Sequence, residues 1–173
     1  QNPFGSVGTQ KLPESQMDRF MIRVTMGYPS VEDEVSIMKS KTGGLSNRVL
    51  SKNVINAQDF MAMRDIVDEV YVDDSIYEYV AKIVAKTRDS EDILQGISPR
   101  GSISIINMAK AEAFLRGHDY VLPSDIQFVL NDTMAHRIIL NRSLKRGHIT
   151  EESVIDSICR SVDVPKIGTR GIL

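Results

Sequence analysis

Cysteine is nearly absent from the 173 residues; Cys159 is the single one. An internal disulfide is therefore excluded, as is a zinc site built from cysteines, and a reducing compartment suits such a chain. Long hydrophobic runs are missing too, and no stretch approaches the roughly 20 apolar residues that a membrane helix needs. Neither charge sign is in surplus, with Lys+Arg 21 against Asp+Glu 23. A net charge of −2 supplies no overall basic field to draw the chain to nucleic acid or anionic lipid. Hydrophobic residues at 42% and charged residues at 25% exclude a wholly disordered or collagen-like chain. The length allows one domain, or part of a larger one plus a small second domain, with room for a real core.

Familiar catalytic patterns are also lacking. There is no G-x-S-x-G elbow, no H-E-x-x-H and no G-x-x-x-x-G-K-[ST] loop, and no acidic pair closes an apolar strand. These residues therefore do not supply the parts that cradle phosphates and hold Mg²⁺. His118, His136 and His148 are far apart and share no metal-ligand spacing, so surface or capping roles are expected for them. Cys159 lies beside Ile158 on an apolar helix face and reads as a small buried hydrophobe. The sequence opens Gln1-Asn2-Pro3, with neither an initiator methionine nor a secretory leader, and is expected to be a segment of something longer.

What is present is mostly helical periodicity. Residues 1–12 read as a loop, and Pro13 to Asp18 as a short helix with proline in its first turn. Phe20, Ile22, Val24 and Met26 alternate with Met21, Arg23 and Thr25. That period of two predicts a strand, the only convincing one in the chain, whose ladder partners lie elsewhere. Ser30 to Asp33 resembles a capping box opening a helix to about Lys41, stopped by Gly43-Gly44. Residues 42–55 form a connector. From Asn56 onward Phe60, Met63, Val67 and Val70 keep helical spacing. Behind Asp73 and Asp74, the residues Ile76, Tyr79, Val80, Ile83 and Val84 form a full amphipathic stripe. Ser98-Pro99-Arg100 opens a helix to about Arg116, closed by Gly117, whose wide apolar arc (Ile103, Ile105, Ile106, Met108, Ala109, Ala113, Phe114) predicts burial near the middle of its domain. Further helices are expected from Ser124 to about His136 and from Thr150 through Val162, with Pro165 as the stop and a tail from Lys166 to Leu173. Arg137 to Ser143 reads as a short extended piece.

Two arginines stand out chemically. Arg100 falls in the first turn of its helix, where the macrodipole disfavours a cation by some tenths of a kcal/mol. An anion met jointly by the arginine and the helix N-terminus is one reason for it; a solvated head bent away is the other. Arg19 ends the short helix, and by pattern alone is either a favourable helix-end cation or something more. Asn2 is by itself only a turn residue.

The order of these pieces carries a resemblance. Gln1-Asn2-Pro3, Gly8-Thr9, Leu12-Pro13-Glu14-Ser15-Gln16-Met17-Asp18-Arg19-Phe20 and Gly27-Tyr28-Pro29-Ser30 resemble the second half of a MoxR-type AAA+ ATPase. Gly96-Ile97-Ser98-Pro99-Arg100-Gly101 is similar to that family's sensor-2 motif, and Ala111 to Val121 to the next segment of the family pattern. The resemblance implies a mainly α chain: the end of an α/β nucleotide-binding core over residues 1–28, then a helical lid over 29–173. It further implies that Asn2 is sensor 1, which reads the γ-phosphate, that Arg19 is an arginine finger reaching a neighbouring subunit's site, and that Arg100 is sensor 2. Tyr28 and Pro29 would lie at the core–lid hinge near the adenine. The implied ligands are ATP with Mg²⁺ in the parent protein, none held tightly by this chain alone. The implied partners are identical subunits in a ring such as a hexamer and, often in the family, a von Willebrand factor A-type protein. The implied role is chaperone-like remodelling in the cytoplasm, without nucleic acid or membrane. A guanidinium suits such roles, since its planar fork stays charged and matches phosphoryl oxygens. The sequence departs from the family in Gly101, where alanine is expected, and in Leu122, where a Ser or Thr cap is usual. Two rival readings remain from other classes. One is a stand-alone helical interaction module without a nucleotide role. The other is a helical nucleic-acid-binding domain, for which only Lys145 to His148 offers a small basic cluster.

Overall fold

The computed structural model describes residues 12–42, 54–141, 143 and 149–166. The chain divides into two compact units, one formed by residues 1–23 together with 66–173, the other by residues 24–65. Asn2, Gly43, Gly44 and the Lys145–His148 cluster lie outside the described residues.

In the larger unit the order is α1 (Glu14–Met17), the end of α3 (Ala57–Glu69), α4 (Asp74–Asp89), β1 (Ile93–Gln95), α5 (Pro99–Leu115), α6 (Pro123–Met134), β2 (Ile139–Leu140) and α7 (Glu151–Arg160). The stripe expected on α4 is the one that packs: Ile76, Tyr79, Val80, Ile83 and Val84 are all buried. Asp73 caps that helix through the Ser75 N–H at 2.9 Å, as a carboxylate at a helix N-cap should. α5 and α6 form the most extensive helix pair, and Ile105, Ala109, Ile126, Leu130 and Met134 meet Ile155 of α7 in one core. Thr150 caps α7 by accepting from the Ser153 N–H at 3.2 Å.

α5 is less deeply set than its apolar arc predicts. Ile105, Ala109 and Ala113 are buried, Ile106, Met108 and Phe114 are partly so, and Ile103 is 62% exposed. Its end agrees with expectation. Gly117 takes φ +79°, and the His118 N–H reaches the Ala113 carbonyl at 2.8 Å while the Gly117 N–H reaches that of Phe114 at 2.9 Å. That paired closure needs a left-handed residue, which glycine adopts without a Cβ penalty. At the start of α6, leucine has no polar atom with which to cap. Asp125 instead reaches back to the Leu122 N–H at 2.8 Å.

The described strands lie elsewhere than the alternating segment, whose ladder partners are expected outside these residues. Residues 20–26 form no ladder; a strand exists only with a partner, and none of the described residues pairs with them. The single described sheet is β1 against β2, antiparallel, with Ile93 opposite Leu140. The extended piece after Arg137 is thus real, but its partner Ile93-Leu94-Gln95 is too short to show a period.

The smaller unit holds α2 (Val31–Thr42) and most of α3. Ser30 opens α2 through the reciprocal bonds expected of it: the Asp33 N–H donates to Ser30 Oγ at 3.1 Å and Ser30 Oγ donates to the Asp33 carboxylate at 2.7 Å. Asn56 accepts from the Asp59 N–H at 2.9 Å to start α3. The helical spacing of Phe60, Met63 and Val67 is present, but Phe60 is 60% exposed and neither α2 nor α3 has a buried residue.

Candidate functional site

The loop entering α5 is fixed from behind by α4. The Ile97 N–H donates to Thr87 Oγ1 at 3.0 Å, and Arg88 Nε donates to the Ile97 carbonyl at 2.8 Å. A Cβ at residue 96 would stand 2.8 Å from the Thr87 carbonyl oxygen, so the close approach of this loop to α4 requires Gly96. Ser98 and Arg100 are therefore presented from a rigid base.

Ser98 is the N-cap of α5, yet its hydroxyl makes no cap bond. It lies 3.0 Å from both carboxylate oxygens of Asp18 instead. Arg100 Nη1 lies 3.3 Å from Asp18 Oδ2, with the Arg100 side chain 51% exposed. Arg137 completes the cluster from the end of α6, with its side chain 1% exposed. Its Nε lies 3.4 Å from Asp18 Oδ1. Nη2 donates to the Asp18 carbonyl at 3.3 Å and the Phe20 carbonyl at 2.5 Å, and Nη1 to that of Met21 at 3.1 Å. The Thr133 carbonyl takes the second Nη1 donor, and Ser104 Oγ shares the Nη2 donors with the two carbonyls. A buried guanidinium with all its donors met is one of the few ways to place a charge inside a domain. Burial still pushes the Arg137 pKa below the ordinary arginine value, and the Asp18 carboxylate opposes that shift.

Gly101 gains its reason here. A Cβ at residue 101 would stand 2.4 Å from Ile97 Cγ2 and 3.2 Å from Arg137 Cδ. The alanine expected from the family would improve helix propensity by roughly 0.5–1 kcal/mol, but it would collide with the side chains that close the cluster.

Next to Arg137, His136 is buried and its Nε2 meets the Phe20 carbonyl at 3.0 Å. A carbonyl only accepts, so the ring proton belongs on Nε2. Nδ1 is buried without a partner among the described residues, none of which offers an acceptor for a second proton. Burial accordingly holds the His136 pKa below 6.5, reinforced by Arg137 and Arg23 and opposed by the Phe20 bond and Asp18. His136 is thus neither a surface nor a capping histidine but an anchor for the segment after α1. Between its folded pKa and 6.5 the unfolded chain binds more protons, so stability falls as pH drops below about 6.5. Thermal melts at pH 7.5 and 5.5 should show a larger loss for the native chain than for His136→Gln, whose amide keeps the donor without titrating. Equal losses would contradict this assignment.

The structure brings Arg100 and the Asp18–Arg19 segment together. Arg19 itself is exposed, and its guanidinium forms no hydrogen bond or ion pair with any described residue. Tyr28, 84% exposed, and Pro29 fall in the unit of residues 24–65. No group of three or more His, Cys, Asp or Glu able to hold a metal occurs among the described residues. None of the described helices is long and apolar enough to cross a membrane.

Residues 85–158, which carry β1, α5, α6, β2 and most of α7, match the AAA lid domain family. Chaperone MoxR1 of Mycobacterium tuberculosis is 32% identical over 96% of this chain and 46% of its own length. Over nearly its whole length the chain is thus similar to MoxR-type AAA+ ATPases. YeaC of Bacillus subtilis is 39% identical over 95% of the chain and 51% of its own length. Among solved structures, a Cytophaga hutchinsonii protein described as a candidate ATPase superposes with TM-score 0.82 at 32% identity, covering 96% of this chain and 53% of that one. The chain spans about half the length of the curated relatives it matches. Its mainly helical fold is that of the family's lid-bearing portion.

Ser98 and Arg100 come from the segment whose resemblance to a sensor-2 motif is noted above, whereas Asp18, which joins them to Arg137, is not singled out by the sequence, nor is the bond of His136 to Phe20. A signal existed for Arg137. It is a lone full charge in the apolar run Ala135 to Leu140 (interrupted otherwise only by His136), and a charge there must be buried or bend the chain outward.

Proposed function

We propose that this chain is the lid-bearing part of a protein that binds and hydrolyses Mg²⁺–ATP to remodel partner proteins. Arg100 acts as sensor 2 toward phosphate in its own subunit, Arg19 as a finger in its neighbour's site and Asn2 as sensor 1. Tyr28 and Pro29 lie near the adenine at a core–lid boundary after residue 28. A cytoplasmic homo-oligomeric ring such as a hexamer, and a von Willebrand factor A-type partner, belong to the same proposal.

The observation that carries it is the setting of Arg100. It stands in the first turn of α5, where the dipole disfavours a cation. It is half exposed and held by a single carboxylate, Asp18. An exposed pair of this kind is worth little, so Arg100 can leave Asp18 for a phosphate at small cost, and a phosphate at that helix start would meet both guanidinium and backbone N–H groups.

The test is Arg100→Ala in the full-length protein. Nucleotide affinity or turnover is expected to fall at least about tenfold, with the melting curve nearly unchanged because the head is not core. Native affinity together with native turnover would contradict the role. The 173-residue chain alone is expected to release no phosphate from ATP above a no-protein control, because it supplies neither the phosphate-cradling lysine nor the Mg²⁺ ligands. Release that a substitution within these residues abolishes would overturn that expectation.

A further inference from the structure

We propose that Arg137, working with Asp18, is a positioning residue for Arg19: the lid, rather than α1, sets where the Arg19 guanidinium is presented. This rests on the reading of Arg19 as a finger.

The observation is the choice of acceptors. α1 has four residues, Glu14–Met17, and takes the Arg19 and Phe20 N–H groups on its Gln16 and Met17 carbonyls at 3.1 Å, which leaves the carbonyl side of the segment to the lid. Arg137 binds the carbonyls of Asp18 and Phe20, the residues on either side of Arg19, and then that of Met21. A core arginine serving only its own domain would find its acceptors within α5 and α6. Here three of the four carbonyls belong to the segment that carries Arg19, and only Thr133 belongs to α6. His136 takes the Phe20 carbonyl as well, and the Arg23 N–H bonds the Asp132 carbonyl at 2.9 Å. The Asp18 carboxylate is gripped by Ser98, Arg100 and Arg137 together. The backbone at residue 19 is thus clamped on both sides while its side chain stays exposed and engages no described residue. That is the requirement for a group acting outside its own subunit: a fixed Cα and a head free to meet its target. Lysine cannot replace Arg137, because one ammonium cannot span carbonyls that a planar fork reaches from three nitrogens.

The experiment uses full-length rings. Arg137→Lys is expected to lower turnover at least tenfold while changing nucleotide affinity less than twofold, and to speed hydrogen exchange at the Arg23 amide. Mixing Arg137→Lys subunits with subunits that cannot bind ATP but keep Arg19 and Arg137 should restore turnover, because the defect lies in the arginine that each subunit offers its neighbour. Turnover within twofold of native, unchanged exchange at Arg23, or a loss that mixing does not rescue would each overturn the proposal. Should Arg137→Lys fail to fold, Asp18→Asn replaces it. It is expected to lower turnover at least threefold with nucleotide affinity no weaker, since Arg100 loses a competing anion; weaker affinity or native turnover would overturn the proposal. Arg19→Ala is measured in parallel. If it keeps native turnover, the finger reading itself has failed and this inference with it. If it loses turnover while Arg137→Lys does not, only the positioning role has failed.

Discussion

Arg19→Ala in the full-length protein is expected to slow ATP turnover by roughly 10³–10⁵, the range an arginine finger commands, without weakening nucleotide binding by an isolated subunit. The bland alternative, a helix-end cation, predicts native turnover and a stability change below about 1 kcal/mol. The structure leaves that alternative little to work with. α1 is a single turn, so its dipole is small, and the effect fades beyond the last turn. Arg19 is exposed and pairs with no described residue, so the folded domain gains nothing evident from its charge. Turnover at fixed saturating nucleotide, with a melting curve on the same preparation, separates the two readings by orders of magnitude.

The second large effect is on stability. Arg137→Met is expected to destabilise the chain by about 3–5 kcal/mol, the range for breaking a buried charge cluster by removing one partner. The reason lies less in the ion pair with Asp18 than in the acceptors left behind. The carbonyls of Asp18, Met21 and Thr133 and the hydroxyl of Ser104 lose a donor, while that of Phe20 keeps His136, and each acceptor left unmet and buried costs about 1–3 kcal/mol unless water reaches it. At roughly 2–4 °C per kcal/mol for a chain of this size, the melting temperature should fall by about 10 °C. Arg23→Ala is the internal control. Its pair with Glu152 spans 3.5 Å with both side chains 44–50% exposed, and such pairs contribute at most about 1 kcal/mol. Similar small losses for both variants would show that Arg137 does not hold the cluster.

Much of the lid was legible because its signals are local. The α4 stripe, the Thr150 cap and the Gly117 stop each rest on residues within a turn or two of one another. Capping chemistry and helical period therefore sufficed to find them. What was not legible has the opposite cause. Residues 20–26 alternate as a strand would, with ladder partners expected outside these residues, and nothing local shows that Phe20, Met21 and Arg23 spend backbone groups on Arg137, His136 and Asp132. The α5 arc was wider than the surface it buries, because period alone does not say how many neighbours surround a helix. Gly101 looked like a departure from the family until Arg137 was seen to pass beside it. For the candidate site, motif order singles out Arg100 and Arg19 only as separate residues. It could not find that Asp18 joins them to Arg137, since 82 residues separate Asp18 from Arg100 and 119 separate it from Arg137.

The central claim is that Arg19, held on the lid, acts in the neighbouring subunit, and mixed rings test it most directly. Arg19→Ala subunits, whose own nucleotide sites are intact, are combined with subunits that cannot bind ATP but keep Arg19, and phosphate release is measured as the ratio varies. Neither subunit should turn over alone. The account predicts that hydrolysis reappears on mixing and peaks at intermediate ratios, because each Arg19→Ala site then meets an arginine from its neighbour. Rings shown to contain both subunits yet releasing no phosphate at any ratio would contradict it.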